Sequence, residues 1–229
     1  WDGRATSLED QAGGPMINPI EMGNKSHDDV VDRIAKIEGY AQYFEETFGT
    51  PEVTLERITR AIADYERTRM SGNSPWDQWR EAIYTDGDED VVGEDVKRGH
   101  ELFFGRARCN NCHFGQNFTD SAFHNIGFGW DPETESFKDE GRFAATGDPK
   151  DLGAFKTPSL RDLSRRAPYL HDGSEPSLRK IVEHYNVGGT PNPYLDPKVS
   201  FETSEELNLT EQDISDLVAF MQALDGEGY

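Results

Sequence analysis

The sequence predicts an all-α fold whose short helices are separated by long ordered loops. Apolar residues recur at spacings of three and four in several segments, which is the periodicity of an amphipathic helix. No segment shows the strict alternation of apolar and polar residues that is typical of a half-buried strand. The 22 glycines and 12 prolines are frequent between the helical segments, and loops of such length are usually functional or held in place by a cofactor.

Residues 1–26 are predicted to form a loop, because six glycines and prolines interrupt the segment. Ser26 then caps a helix that ends before Gly49 and Pro51. Its apolar stripe consists of Val30, Ile34, Ile37, Ala41, Phe44 and Phe48. A second stripe predicts the next helix and consists of Leu55, Ile58, Ile62 and Tyr65.

The rest of the chain contains further segments with helical periodicity, namely residues 76–84, 94–104, 158–165, 176–186 and 210–224. We interpret the acidic stretch 86–90 as a linker. Between residue 117 and about residue 157 the periodicity fails, and a loop is predicted there. Thr210 and Asp213 form a capping pattern at the start of the last helix.

The only two cysteines, Cys109 and Cys112, are followed directly by His113. This is the attachment pattern of a c-type haem, in which the histidine is the proximal ligand of the iron. A structural zinc site would need four ligands and usually a second cysteine pair. A thioredoxin-like redox pair needs a βαβ setting, and a disulfide across so short a loop would add little stability. The motif therefore predicts one covalently bound haem c.

The formal net charge of −21 argues against nucleic acid as a partner. It favours docking of a small basic electron-transfer protein, although the same charge also serves solubility. The sequence has no apolar run that predicts a membrane span and no signal peptide. Because haem c is normally attached outside the cytoplasm, we expect a periplasmic or exported protein. The start at Trp1, without a methionine, indicates a mature or cleaved product.

A six-coordinate haem iron needs a second axial ligand. Leu178, Ile181, Val182 and Tyr185 share one helix face, which should point inward. Periodicity alone favours a core tyrosine bonded to a carbonyl over an iron ligand. Met221 is equally well explained by packing. The remaining histidines are weaker signals: His171 lies in a turn-rich loop and could bond a haem propionate, and surface or supporting positions are expected for His27, His100 and His124.

Other short segments carry a family resemblance: WDGR at 1–4, NPIEMG at 18–23, FTD at 118–120, GRF at 141–143, FKTPSLR at 155–161, PYLHDG at 168–173 and LVAF at 217–220. Together with the haem motif, they resemble the bacterial di-haem cytochrome c peroxidases and, within that family, the MauG-like branch. The resemblance covers nearly the whole chain. It implies that residues 1–75 are the latter part of a peroxidatic-haem domain without its own haem anchor. Residues 76–229 would be a cytochrome c-like domain that binds one covalent haem c.

The resemblance also implies roles for residues of the first domain. Trp1 matches a tryptophan between two haems, which bridges electron transfer. Gln11, Pro15 and Glu21 match the distal wall of the peroxidatic haem. There Glu21 would be the general acid and base that moves a proton between the oxygens of bound hydrogen peroxide.

In the second domain, Cys109, Cys112 and His113 match the C-terminal haem site. Tyr185 matches the position at which MauG-like members have a tyrosine ligand and other peroxidases have methionine. The resemblance therefore reverses the expectation from periodicity, and Tyr185 is favoured as the second ligand of the iron. Its anionic oxygen would lower the reduction potential relative to methionine.

The chain also departs from the family pattern. The family has two haem motifs and this chain has one, so a second haem is expected in the intact protein, held by a segment upstream of Trp1. The carbonyls of Arg166 and Pro168 match two calcium ligands, and the third lies upstream. Ala107 occupies the position at which MauG itself has a tryptophan that relays oxidising equivalents to a protein substrate. Modification of such a substrate by that route is therefore not expected here.

Two functions follow from these observations. The first is a di-haem peroxidase-type oxidoreductase, in which electrons from a basic donor protein or a protein substrate pass through the C-terminal haem. The alternative is a mono-haem electron-transfer module without catalysis of its own.

Overall fold

The computed structural model describes residues 1–200 and 206–227. The helices are α1 Leu8–Ile17, α2 His27–Ala35, α3 Tyr40–Phe48, α4 Leu55–Thr68, α5 Pro75–Thr85, α6 Glu94–Phe104, α7 Phe143–Thr146, α8 Leu178–Asn186 and α9 Glu211–Gln222. The strands are β1 Phe123–His124, β2 Trp130–Asp131, β3 Ser136–Phe137 and β4 Phe155–Lys156. β1 pairs antiparallel with β4, and β2 pairs antiparallel with β3. The prediction of a mostly helical fold is confirmed.

The chain forms two compact units. The smaller unit is Arg4–Met70, and the larger unit combines Trp1–Gly3 with Ser71–Tyr229. The domain boundary predicted after residue 75 falls inside the larger unit, at the first residue of α5. Among the described residues, no helix is both long and apolar enough to cross a bilayer.

The smaller unit contains α1 to α4 around a core of Met16, Val30, Phe44 and Ile58. The loop predicted over residues 1–26 is wrong, because α1 lies within it. The Ser7 hydroxyl caps this helix by accepting a hydrogen bond from the Asp10 N–H at 3.1 Å. Burial of Ala12 and Met16 along α1 outweighs the low helix propensity of Gly13, Gly14 and Pro15.

The single helix predicted from Ser26 to Phe48 is two helices, α2 and α3. Ser26 caps α2 as predicted. The chain turns between the helices at Gly39, whose φ of 99° is open to glycine and strained for other residues. The helix predicted from the Leu55 stripe is confirmed as α4.

The larger unit is built on the crossing of α6 and α9, both of which were predicted. Thr210 and Asp213 form the predicted capping box at the start of α9. The buried core at this crossing includes Phe103, Phe118, Leu217, Phe220 and Leu224. Gly99 allows the two helices to approach, because a Cβ at this position would overlap the Asp216 carbonyl and the Phe220 side chain. Arg98 and Asp216 add two hydrogen bonds, at 2.7 and 3.0 Å.

The segment after the haem motif is mostly irregular, as predicted, although α7 and the four short strands lie within it. The helix predicted over 158–165 is wrong. Asp162 has a φ of 55°, which breaks an α-helix, and only a 3-10 turn over Leu163–Arg165 forms. The helices predicted over 76–84 and 176–186 are confirmed as α5 and α8.

We expect Gly99→Ala to lower the free energy of unfolding by about 1–3 kcal/mol, because the added methyl group forces α6 and α9 apart. Chemical denaturation of the haem-loaded protein measures the change. Glu101→Ala, at an exposed position of the same helix, is the matched control and should stay within about 0.5 kcal/mol. Equal stability of the two variants would contradict the proposed close approach at Gly99.

Candidate haem site

A cavity of about 420 Å³ lies within the larger unit, next to the haem motif. Its wall includes Cys109, Cys112 and His113 of the motif and Tyr185 of α8. Most of the remaining wall is apolar and includes Phe103, Leu160, Leu163, Leu178, Val182 and Leu217. Apolar clefts with a few convergent polar groups are typical of cofactor sites.

The haem motif is positioned by a 3-10 turn, Cys109–Asn111, that follows α6. The Cys109 carbonyl accepts hydrogen bonds from the N–H groups of Cys112, at 3.3 Å, and of His113, at 2.9 Å. This turn brings both thiols and the imidazole to one wall of the cavity. The thiols are free, and burial raises the pKa of Cys109 to about 12.

The His113 ring is fixed by a main-chain acceptor. Its Nδ1 lies 3.0 Å from the Phe118 carbonyl oxygen. A carbonyl can only accept, so Nδ1 carries the proton and Nε2 keeps its lone pair. Burial lowers the pKa of His113 and so favours the neutral imidazole. A neutral, oriented imidazole is the form that binds iron.

Tyr185 lies in the stripe that the sequence analysis placed on the inner face of its helix. All four residues of this stripe, including Ile181, line the cavity. Within residues 1–200 and 206–227 the Tyr185 hydroxyl has no hydrogen-bond partner, so the carbonyl-bonded tyrosine that periodicity favoured is not found. Burial, followed by the neighbouring thiols of Cys112 and Cys109, raises the pKa of this phenol well above its usual value.

These four side chains fit a covalently attached haem. Two thiols, an oriented imidazole and an unpartnered phenol share one apolar cavity. The Tyr185 hydroxyl lines this cavity, and an iron ligand bond would give it the partner that the described residues do not supply.

Four other predicted residues line the same cavity. Trp1 is held there by its carbonyl, which accepts a hydrogen bond from the Lys156 N–H at 2.9 Å. The His171 ring stacks on Phe155, with 3.6 Å between ring centroids and 7° between planes. Arg166 and Pro168 also belong to the lining.

The smaller unit contains the three distal-wall candidates. Gln11 and Pro15 are one turn apart on α1 and therefore lie on one helix face. The Met22 N–H donates to the Pro15 carbonyl at 3.2 Å, which ties the turn containing Glu21 to the C-terminal end of α1. The Gln11 and Glu21 side chains are exposed on this unit.

Sequence reasoning missed a largely buried ionic group at the cavity wall. His124 Nδ1 lies 2.6 Å from Asp196 Oδ2, and His124 Nε2 lies 2.9 Å from Asp120 Oδ2. The hydrogen bond to Asp196 raises the pKa of His124 most, and the Cys112 thiol and Asp120 add to this; the pKa reaches about 10. Asp196 is 72 residues away from His124 in the chain, so no local pattern could pair them.

A second missed group supports the loop after the haem motif. Arg161 is 3% exposed, and its guanidinium donates to both Asp77 oxygens, at 2.6 and 2.9 Å. It also donates to the Gln116 carbonyl at 2.9 Å and lies 5.3 Å from the centre of the Phe118 ring. Arg161 therefore connects α5 to the residue that orients His113.

Comparison with known proteins agrees with this geometry. Residues 1–84 match the family model for di-haem cytochrome c peroxidase, and residues 96–225 match the model for cytochrome c. The methylamine utilization protein MauG of Methylorubrum extorquens is 42% identical over 99% of this chain and 60% of its own length. The chain belongs to the di-haem cytochrome c peroxidase family.

Two further similarities support this assignment and that of haem c as the cofactor. The cytochrome c551 peroxidase of Nitrosomonas europaea is 34% identical over 99% of this chain and 61% of its own length. A crystal structure of a MauG-like protein associated with microbial copper homeostasis superposes with a TM-score of 0.82 at 28% identity. It covers 96% of this chain, which in turn covers 69% of that one. The chain thus spans about three fifths of the curated relatives named here.

We expect Asp77→Asn to lower the free energy of unfolding by about 3 kcal/mol at neutral pH, because it leaves the buried Arg161 guanidinium without a counter-ion. Burial opposes ionisation of Asp77, but the hydrogen bonds from Arg161 and Ser74 outweigh it and lower the pKa. The stabilisation is therefore present above the ordinary carboxyl pKa and is lost as the pH falls through the lowered value.

Denaturant unfolding at neutral and at acidic pH measures both effects, and the difference between wild type and variant should shrink in acid. Glu81→Gln, exposed on α5, is the control for loss of a carboxylate on the same helix. A pH-independent difference would show that the ion pair is not its origin.

Proposed function

We propose that the protein is an oxidoreductase of the di-haem peroxidase type that reduces or uses hydrogen peroxide. The larger unit is its electron-relay half, and the smaller unit supplies the distal wall of the peroxidatic half. The observation that carries the proposal is the cavity shared by the haem motif and the unpartnered Tyr185. The alternative of a mono-haem carrier is not favoured, because the relatives named above are MauG and a cytochrome c peroxidase.

In the larger unit, Cys109 and Cys112 would hold one haem c through thioether bonds. His113, oriented by the Phe118 carbonyl, and Tyr185 would hold its iron. When bound, the haem supplies one-electron redox chemistry. Burial disfavours a free phenolate, so the Tyr185 phenol would be ionised only with the iron beside its oxygen. An anionic oxygen ligand there would favour the ferric state.

Other residues at this cavity have supporting roles. Trp1 bridges electron transfer between the two haems, and the imidazole of His171 holds a propionate. The carbonyls of Arg166 and Pro168 contribute to a calcium site that an upstream residue completes. The second haem is bound by an upstream segment of the intact protein.

In the smaller unit, Glu21 moves a proton from one oxygen of hydrogen peroxide to the other, which assists cleavage of the O–O bond. Gln11 and Pro15 form part of the distal wall of the peroxidatic haem. The geometry that supports these roles is the hydrogen bond from the Met22 N–H to the Pro15 carbonyl, which ties the Glu21 turn to the end of α1.

The protein works in the periplasm or outside the cell, where haem c is attached. Its electrons come from a small basic donor protein, since the net charge of −21 steers cationic partners toward it. A protein substrate could take the place of this donor. Ala107 makes a relay through that position unavailable.

We expect Tyr185→Phe to change the ferric absorption spectrum of the haem and to raise its reduction potential, because the variant lacks the anionic ligand. Optical titration of the haem-loaded protein measures both. Tyr84→Phe, at a tyrosine that is 80% exposed, should leave them unchanged. An unaltered spectrum of Tyr185→Phe would refute ligation by Tyr185.

Glu21→Gln should reduce the rate of peroxide reduction by about 10²- to 10⁴-fold in the protein loaded with both haems, because it removes the general acid and base. Stopped-flow spectroscopy measures this rate, and intact mass gives the number of haems per chain. Glu45→Gln, exposed on α3, should react like the wild type. If the wild-type protein with both haems does not react with peroxide, the proposed function is wrong.

A further inference from the structure

We propose that His124 is an imidazolium ion fixed between Asp120 and Asp196, and that this triad positions the loop that binds the haem and sets the haem's reduction potential. The triad means these three side chains. The inference rests on the part of the proposed function that attaches haem c at Cys112. It does not depend on any reaction with peroxide.

The two hydrogen bonds of His124 define its charge. The ring nitrogens lie 2.6 and 2.9 Å from carboxylate oxygens of Asp196 and Asp120. An ionised carboxylate only accepts hydrogen bonds, and a neutral imidazole has a single N–H to donate. Two contacts of this length therefore require protons on both nitrogens. Charge-assisted bonds of this kind are short and strong.

Main-chain contacts hold both carboxylates in place. Asp120 Oδ1 accepts from the Ala122 N–H at 2.9 Å. Asp196 Oδ1 accepts from the Lys198 N–H at 2.8 Å, and the Asp196 N–H donates to the Asn125 carbonyl at 2.9 Å. The triad thus joins the segment that contains β1 to the loop that contains Asp196.

The triad also holds the haem motif directly. The Asp120 N–H donates to the Cys112 carbonyl at 2.8 Å. Lys198, whose Nζ is 3.9 Å from Asp120 Oδ2, donates to the Asn111 carbonyl at 3.4 Å. His124 and Lys198 both line the cavity. The Cys112 sulfur and the facing ligand atoms of Asp120 and His124 lie within 4.8 Å of one another.

The same three atoms resemble a metal site, but their chemistry argues against one. Both nitrogens of His124 are already bound to carboxylates, and the Cys112 sulfur is needed for the thioether bond. The arrangement is better explained as a fixed charge beside the haem.

This charge lies where solvent screens it little. The His124 and Asp120 side chains are only 10% and 9% exposed. Two carboxylates and one imidazolium give the triad a net charge of −1. The oxidised haem carries one more positive charge than the reduced haem, so negative charge nearby lowers the potential. Removing one member of the triad changes this charge in a known direction.

The test compares variants whose effects on the potential have opposite signs. His124→Gln makes the triad more negative and should lower the reduction potential. Asp196→Asn makes it less negative and should raise the potential. Spectroelectrochemical titration without peroxide, at about pH 5.5, keeps any remaining histidine and aspartate of the triad charged, because this pH lies between their ordinary pKa values.

Further variants separate the effect of charge on the reduction potential from the effect of a local structural change. His124→Lys keeps the positive charge and should restore the potential toward that of the wild type. Asp131→Asn, at an exposed position outside the cavity lining, should not shift it. Shifts of the same sign in His124→Gln and Asp196→Asn, or no shift in either, would overturn the proposal.

A spectroscopic measurement does not depend on the stability of the variants. In the reduced wild-type protein, nitrogen-edited NMR should show two slowly exchanging N–H protons on His124. A single such proton would mean a neutral ring and would overturn the proposal even if every variant failed to fold. If the variants show the expected reduction potentials but the protein is inert to peroxide, the proposed function is wrong and the proposal for the triad still holds.

Discussion

The hydrogen bond between His113 and the Phe118 carbonyl is the contact on which the site depends. It fixes the tautomer and the orientation of the imidazole. Phe118 is fully buried, and its ring packs edge-on against Trp76 at 4.9 Å and Phe103 at 5.9 Å. Phe103 belongs to α6, which packs against α9 in the buried core of the larger unit. The apolar core therefore also fixes the position of the Phe118 carbonyl that orients His113.

Two largely buried ionic groups hold the segments on either side of this contact. Arg161 binds Asp77 and the Gln116 carbonyl, so it connects α5 to the loop before Phe118. The triad of His124, Asp120 and Asp196 connects the loop after it to the wall of the cavity. Irregular backbone needs such anchors, because it has few regular main-chain hydrogen bonds of its own. The long ordered loops thus owe their order to side-chain charges as well as to apolar packing.

The fold could be predicted from the sequence where local signals agree with tertiary packing. α8 and α9 have clear apolar stripes, and Thr210 supplies a side-chain cap. α1 was missed because its glycines and proline are poor helix formers, and burial of Met16 decides the outcome. The helix predicted over 158–165 failed for the opposite reason. There the Arg161 side chain donates a hydrogen bond to the Gln116 carbonyl, which is distant in the sequence. The left-handed backbone conformation of Asp162 then ends any helix.

The candidate site shows the same division between local and distant information. The haem motif and the inward face of Tyr185 are local patterns, and sequence reasoning found both. Whether the Tyr185 phenol has a partner depends on which groups the fold brings to the cavity, so periodicity could only weigh a core tyrosine against a ligand. Similarly, the charge of His124 depends on Asp196, 72 residues along the chain. Sequence patterns can therefore identify the side chains at a site. Their protonation states, and whether their polar groups have hydrogen-bond partners, follow only from the contacts that the fold creates.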